Sequence, residues 1–122
     1  MKNVKFLDYE CEMTIHQYEN GRIAIRLVNA INDPANEMYK GEPIATATVN
    51  LPDIHMADNQ IIIKDYSENQ GMFVALKNAG VVKENENTQN WNGVVVADMS
   101  EEMLQLVQNH INKNSNKNKP KR

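Results

Sequence analysis

Cysteine is nearly absent from this sequence, and so are long apolar runs. Cys11 is the single cysteine among 122 residues, so an internal disulfide is excluded and a reducing compartment, the cytoplasm, is expected. No apolar run approaches the roughly 18 residues that a transmembrane helix requires. The first residues, MKNVKFLDYECEM, contain charges where a signal peptide needs an apolar segment, so we expect no such leader.

Motifs typical of enzymes are missing as well. The sequence contains no nucleophile elbow, phosphate-binding loop, dinucleotide-binding glycine pattern or zinc signature. Its three histidines, His16, His55 and His110, lack the spacing of metal ligands, and no two carboxylates stand out as an acid and a base. We therefore expect a protein that is not an enzyme, with no catalytic residues, no bound metal and no cofactor.

Charge is distributed unevenly along the chain. The net charge is −3, yet residues 112–122 contain five basic residues and no acidic one, which leaves −8 on residues 1–111. The terminal segment is also rich in Asn and Lys and has no apolar anchor. We therefore predict one folded domain over residues 1–111 and a disordered basic tail over residues 112–122. The acidic domain argues against a nucleic-acid partner and favours a solubilising tail.

Residues 60–80 carry the most consistent structural pattern. Three consecutive isoleucines, Ile61 to Ile63, indicate a buried strand, and an amphipathic helix is predicted over residues 67–79. Ser67, with Gln70 three residues later, has the spacing of a capping box, and Gly80 is the residue type that ends a helix. This segment therefore predicts a strand that leads directly into a helix.

Alternating apolar residues predict the rest of a sheet. Strands are expected within residues 4–18, 22–28, 43–51 and 93–97, with a short one at 81–82. A turn or bulge is expected near Leu7–Asp8, because Phe6 breaks the alternation. Ser100 predicts the N-cap of a second helix over residues 101–111. The sequence thus predicts an α+β fold, with a small antiparallel sheet of about five strands and two helices.

The turn Glu19-Asn20-Gly21 decides the register of the first hairpin. A two-residue turn would place apolar residues opposite charged ones, whereas a three-residue loop pairs Tyr18 with Arg22 and keeps one face apolar. The longer loop also places Gly21 where a left-handed residue is needed. We therefore predict the three-residue loop, with Ile15 opposite Ile25.

Eight side chains are suited to binding a phosphorylated nucleotide. Arginine and lysine bind phosphate, aromatic rings stack on bases, and asparagine amides read base or ribose edges. Each of them also has a plain structural interpretation, in surface ion pairs, in core packing or at an oligomer contact. Trp91, a lone tryptophan among Asn and Gln residues, is the strongest candidate for an interface anchor. The candidate ligand-binding residues are Arg22, Arg26, Lys64, Tyr66, Asn69, Phe73, Trp91 and Asn92.

Three blocks of the sequence resemble small proteins of phages, plasmids and conjugative elements of low-GC bacteria. The blocks are NGRIAIRLVN at 20–29, GEPIATATVNLPD at 41–53 and IIIKDYSENQGMFVALKNAGVV at 61–82, and KDYSENQGM is the most specific part. The chain is also similar to the phage Thoeris anti-defence proteins of the sponge type. Those are homo-oligomeric α+β proteins that sequester glycocyclic ADP-ribose signals, and some also hold cyclic oligonucleotides.

The resemblance implies an inhibitor of bacterial host defence that works without catalysis. It would bind a cyclic ADP-ribose-like nucleotide in a pocket shared between subunits, and no ligand-contacting residue of the sponge family is carried over to this sequence. The acidic domain also suits a protein-binding inhibitor, such as an anti-CRISPR protein or an antirestriction DNA mimic, although Arg22 and Arg26 interrupt the acidic surface. An accessory role in plasmid or phage maintenance is the third possibility.

Overall fold

Two small sheets and two helices make up the fold. The computed structural model describes residues 2–118, with side chains up to residue 114, and within this range the α+β class predicted from the sequence is confirmed. The strands are β1 (Asn3–Phe6), β2 (Tyr9–Gln17), β3 (Ile23–Asn29), β4 (Pro43–Thr46), β5 (Gln60–Lys64), β6 (Gln89–Trp91) and β7 (Val94–Asp98). The helices are α1 (Met72–Asn78) and α2 (Glu101–Asn118).

The first sheet has the order β1-β2-β3-β4, and each neighbouring pair is antiparallel. The predicted three-residue hairpin loop is confirmed, since the N–H of Tyr18 donates to the carbonyl of Arg22 at 2.8 Å and Gly21 has φ +85°. The turn predicted at Leu7–Asp8 joins β1 to β2, with Leu7 at φ +53°. Ile15 lies opposite Ile25, as predicted, and the same register places Met13 opposite Leu27 and Gln17 opposite Ile23.

The second sheet has the order β5-β7-β6, so the predicted single sheet of about five strands is in fact two sheets, of four and three strands. The segment after β4 connects them: the Ala47 N–H donates to Ile25, and the Ala47 carbonyl accepts from Lys64 at 2.9 Å. The regular strand ends at Thr46 rather than at residue 51. One reason is that the Thr48 side chain, through Oγ1, accepts the Ile25 N–H that a strand carbonyl would otherwise take.

Helix α1 begins later than predicted, and Ser67 is not its cap. Ser67 has φ +54° and opens a 3-10 turn over Ser67–Asn69, whereas the α-helix begins at Met72. The cap comes from Asp65, whose Oδ1 accepts hydrogen bonds from the N–H groups of Gly71 at 2.6 Å and Met72 at 3.2 Å. The predicted end of the helix is confirmed, since Gly80 has φ +75° and follows the last turn.

Helix α2 is capped as predicted and extends further than predicted. The Oγ of Ser100 accepts the N–H of Met103 at 3.0 Å, and Glu101 and Glu102 occupy the first turn. The helix continues to Asn118 instead of ending at residue 111, so the first part of the predicted tail is helical. Residues 119–122 of that tail lie outside the described residues.

The short strand predicted at 81–82 is reduced to one isolated bridge between Val82 and Met99.

One apolar core lies between the two sheets and the helices. Cys11 is buried within it and fills the core, and burial raises the pKa of its thiol. Within residues 2–118, neither helix has both the length and the apolar character that a membrane span requires. The core combines inward residues of both sheets with the buried faces of α1 and α2, among them Met13, Ile25, Leu27, Ile61, Ile63, Met72, Leu76, Val95 and Met103.

Candidate functional site

The outer face of the second sheet presents a row of side chains that ends at Trp91. Lys64 on β5 lies opposite Val94 on β7, and Val94 lies opposite Trp91 on β6. Because side chains alternate along a strand, this row points away from the core that holds Ile63 and Val95. Trp91 therefore stands at the open edge of the sheet, with 49% of its surface exposed.

A pocket of about 420 Å³ lies against this row. Trp91 and Val94 form its apolar wall, Gln89 lies one alternate position away on β6, and Ile54 and His55, from the loop between β4 and β5, complete the lining. The volume is within the range of small-molecule sites, and the composition is typical of them, since apolar walls carry a few polar groups. A flat aromatic ligand could stack on Trp91 here while the imidazole and the amide contact its edges.

The β6–β7 turn holds Trp91 in place. Asn92 has φ +51° and Gly93 has φ +93°, so the two residues form the tight hairpin turn that Asn-Gly sequences favour. The Gly93 carbonyl accepts the N–H of Asp65 at 2.7 Å, which ties the turn to the end of β5. Asn92 thus has a backbone role: it shapes the turn that positions Trp91.

Arg22 fixes the loop that contributes Ile54 and His55 to the pocket. Its guanidinium donates to the carbonyls of Leu51 at 2.8 Å, Pro52 at 3.3 Å and Ile54 at 2.8 Å. The guanidinium that the sequence predicted to bind phosphate therefore donates to three backbone carbonyls instead. Arg22 acts on the site as a positioning residue, because the loop it holds carries Ile54 and His55.

Replacing Arg22 with lysine is expected to loosen this loop. An ammonium cannot reproduce the three-way contact of a guanidinium, so we expect a loss of about 1–2 kcal/mol in the free energy of unfolding. The Ile54 N–H, which donates to Leu51 at 3.0 Å, should exchange with solvent about tenfold faster. Amide hydrogen exchange followed by NMR measures this directly.

Arg26→Lys is the matched control for that experiment. Within the described part of the chain the Arg26 guanidinium holds no loop, and its side chain is exposed, so stability should change by less than about 0.5 kcal/mol. Equal exchange rates at Ile54 in the two variants would show that Arg22 does not hold the loop.

Lys64 and Tyr66 lie beside the pocket and contact each other. The Lys64 ammonium is 5.3 Å from the centre of the Tyr66 ring and forms an ion pair with Glu68. The hydrogen bond between them raises the pKa of Lys64 and lowers the pKa of Glu68, so both groups stay charged at neutral pH. An anionic ligand would have to displace Glu68 to reach the ammonium.

Two of the predicted ligand-binding residues, Phe73 and Asn69, have structural roles within the fold instead. Phe73 is only 8% exposed and belongs to the core, which does not suit the predicted stacking on a base. Asn69 is 2% exposed, and its side-chain amide donates to the Thr46 carbonyl at 2.7 Å, so it joins the 3-10 turn to the first sheet. Neither side chain is presented to the pocket.

Arg26 lies apart from the others, on the outer face of the first sheet, opposite Thr14 and Thr46. The eight predicted residues therefore do not form one site. Trp91 lines the pocket, Arg22 and Asn92 shape it, and Lys64 and Tyr66 flank it.

Four lining residues, Ile54, His55, Gln89 and Val94, are not among the eight predicted from the sequence. The Asn92-Gly93 pair was a usable signal, because it predicts a hairpin and thereby a strand with Gln89 and Trp91 on one face. No local pattern marked Ile54 or His55, which reach the pocket through the contacts of Arg22.

Within the described residues, no three His, Cys, Asp or Glu side chains are grouped to hold a metal ion. In comparisons with known proteins, no family model matches the chain, and no curated protein and no solved structure matches it significantly.

Proposed function

We propose that this protein is a non-catalytic binding protein that sequesters a small nucleotide signal of the cyclic ADP-ribose class. The observation that carries the proposal is the half-exposed, single tryptophan on the wall of an apolar pocket. Stacking a base on an aromatic ring is worth about 1–3 kcal/mol, and it binds the ligand without any reaction. The resemblance to Thoeris sponges supplies the ligand class and the role, inhibition of a bacterial defence in the cytoplasm of the host.

The proposed ligand would contact each polar neighbour of the pocket. The adenine base would stack on Trp91, with Gln89 and His55 donating and accepting hydrogen bonds at its edges. The phosphates would lie along the sheet toward Lys64, which is one strand beyond Val94. None of the five lining residues is a carboxylate or a nucleophilic hydroxyl or thiol, which favours binding over turnover. β6 is the edge strand of its sheet, and a second copy of the chain would complete the pocket there.

The uniqueness of Trp91 makes the test direct, because all tryptophan fluorescence reports on the pocket. Titration with glycocyclic ADP-ribose should change the emission saturably and release or absorb heat in calorimetry. Trp91→Ala should weaken binding about tenfold to a hundredfold, measured by calorimetry, while Trp91→Phe should retain most of the affinity. Native mass spectrometry of the same samples would report the oligomeric state and any retained nucleotide.

Tyr39→Ala is the control for that titration. Tyr39 is 48% exposed and does not line the pocket, so its loss should leave the affinity unchanged. A wild-type protein that shows no heat, no fluorescence change and no shift in melting temperature with the nucleotide would refute the proposed ligand.

One observation favours the alternative, a protein-binding inhibitor. Tyr9 lies at a groove with Glu37 and Glu42, which combines an exposed aromatic ring with negative charge on an acidic domain. Binding to a defence nuclease through this groove would weaken as the salt concentration rises. Binding that does not depend on salt, or no binding, would remove this alternative.

A further inference from the structure

A second groove, of about 370 Å³, lies on the outer face of the first sheet. Its floor includes the cross-strand row Thr14, Arg26 and Thr46, one residue from each of three neighbouring strands. His16 borders the row, two residues from Thr14 on the same face, and the two side chains share a hydrogen bond of 2.9 Å. The other side of the groove is apolar and includes Pro43 and Ile44. A guanidinium, an imidazole and two hydroxyls thus face one depression beside an apolar wall.

The positive charge in this groove is not neutralised by the protein around it. In residues 2–118, Arg26 forms no ion pair, although the domain is strongly acidic. Glu12, a carboxylate on the same face of β2, is instead paired with Lys40 at 3.7 Å. Burial lowers the pKa of His16, and the positive charges of Arg26 and His110 lower it further. The Arg26 guanidinium is exposed and is therefore available to an anion from solution.

The available donors match an oxyanion. A guanidinium presents a planar fork of N–H groups that fits phosphate or carboxylate oxygens two at a time. The Thr46 hydroxyl and, when protonated, the His16 ring can donate to a third oxygen of the same group. A free inorganic ion would leave Pro43 and Ile44 uncovered, whereas an organic ligand would cover them.

We propose that this groove is a binding site for a small organic phosphate, whose phosphoryl head lies on Arg26, His16 and Thr46 and whose apolar body lies on Pro43 and Ile44. The site is formed by β2, β3 and β4 and shares no lining residue with the Trp91 pocket. It is therefore independent of the function proposed for that pocket.

Phenyl phosphate is the probe for this site, titrated into the full chain and followed by calorimetry and by NMR of the histidine rings. Saturable binding is expected, with the His16 signals shifting, because an adjacent dianion stabilises the imidazolium and raises the His16 pKa. Glu12, Lys40, Arg26 and His110 are the other charged or titratable groups near His16, so the pH titration is repeated with each variant below. Inorganic phosphate, which lacks the ring, should bind more weakly.

Arg26→Gln keeps most of the side-chain stem and should weaken phenyl phosphate binding about tenfold or more. Lys83→Ala removes an exposed cation elsewhere on the chain and should leave binding unchanged, and so should Trp91→Ala. Circular dichroism melting verifies that each variant is folded, and Arg26→Ala provides a second test of the same position. Absence of a saturable shift at His16, or equal affinity in wild type and Arg26→Gln, would overturn the proposal. Equal affinity for phenyl phosphate and inorganic phosphate would overturn the assignment of the apolar wall.

Discussion

Gly93→Ala is expected to destabilise the protein by about 3 kcal/mol or more. A Cβ atom at this position would lie 2.5 Å from the Asp65 carbonyl oxygen and 2.9 Å from the Tyr66 Cβ. Gly93 also has φ +93°, which residues with a side chain rarely adopt. The backbone of Asp65 cannot move away without losing its 2.7 Å hydrogen bond to the Gly93 carbonyl. Urea unfolding followed by Trp91 fluorescence measures the loss.

Gly21→Ala separates the steric clash of the added Cβ from the strain of a positive φ. Gly21 has φ +85°, and a Cβ there would meet no atom within 4 Å, so it suffers the backbone strain alone. We expect it to cost about 1–2 kcal/mol. If both alanine variants were equally destabilised, the close approach of the β6–β7 turn to β5 would not exist in solution.

Asp98→Asn is expected to cost about 2–3 kcal/mol at neutral pH and to flatten the acid side of the stability profile. Asp98 is buried, and its carboxylate accepts side-chain N–H groups from Gln60 at 2.9 Å and from Asn85 and Asn87 at 3.1 Å each. The asparagine variant keeps one acceptor oxygen but would point its N–H₂ group at the donors on the other side, which leaves those donors without an acceptor.

The pH dependence follows from the direction of the Asp98 shift. The hydrogen bonds from Asn87, Gln60 and Asn85 lower the pKa of Asp98 below its unfolded value, which is about 3.9. The stability it contributes is therefore complete above the unfolded pKa and is lost as the pH falls through the folded pKa. Denaturant titrations between neutral pH and pH of about 2 should show a steeper acid loss in the wild type than in Asp98→Asn.

Asp53→Asn serves as the control for that comparison. Its carboxyl group is exposed, so its removal should change stability by less than about 0.5 kcal/mol and leave the acid limb as in the wild type. If the Asp98→Asn variant lost stability at acid pH as steeply as the wild type, the three amides would not hold this carboxylate in solution.

The first hairpin could be predicted to the residue because two constraints agreed there. Only the three-residue loop kept Ile15 opposite Ile25 on an apolar face, and the same loop gave Gly21 a left-handed position. Helix ends with local causes were also predictable, as at Gly80 and Ser100. These features depend on residues that are close together in the sequence, so the sequence is enough to predict them.

Other features depend on partners that are distant in sequence or on competing local geometry. Ser67 has the capping-box spacing, but Asp65 satisfies the α1 amides from the preceding strand end, and Ser67 takes a left-handed conformation instead. The eight candidate binding residues were chosen for their chemistry alone, which does not reveal that Arg22 is held by three carbonyls. Where the side chains meet is decided by tertiary packing, and so the pocket could be predicted only through Trp91.

Arg22 holds the pocket loop in a way that does not depend on the side chains of that loop. All three of its contacts are to main-chain carbonyls, which every amino acid supplies. Substitutions at Ile54 and His55 can therefore alter the size and polarity of one wall without weakening its attachment, while the Trp91 side remains constant. The surface of this wall and the scaffold that carries it can thus vary independently of each other.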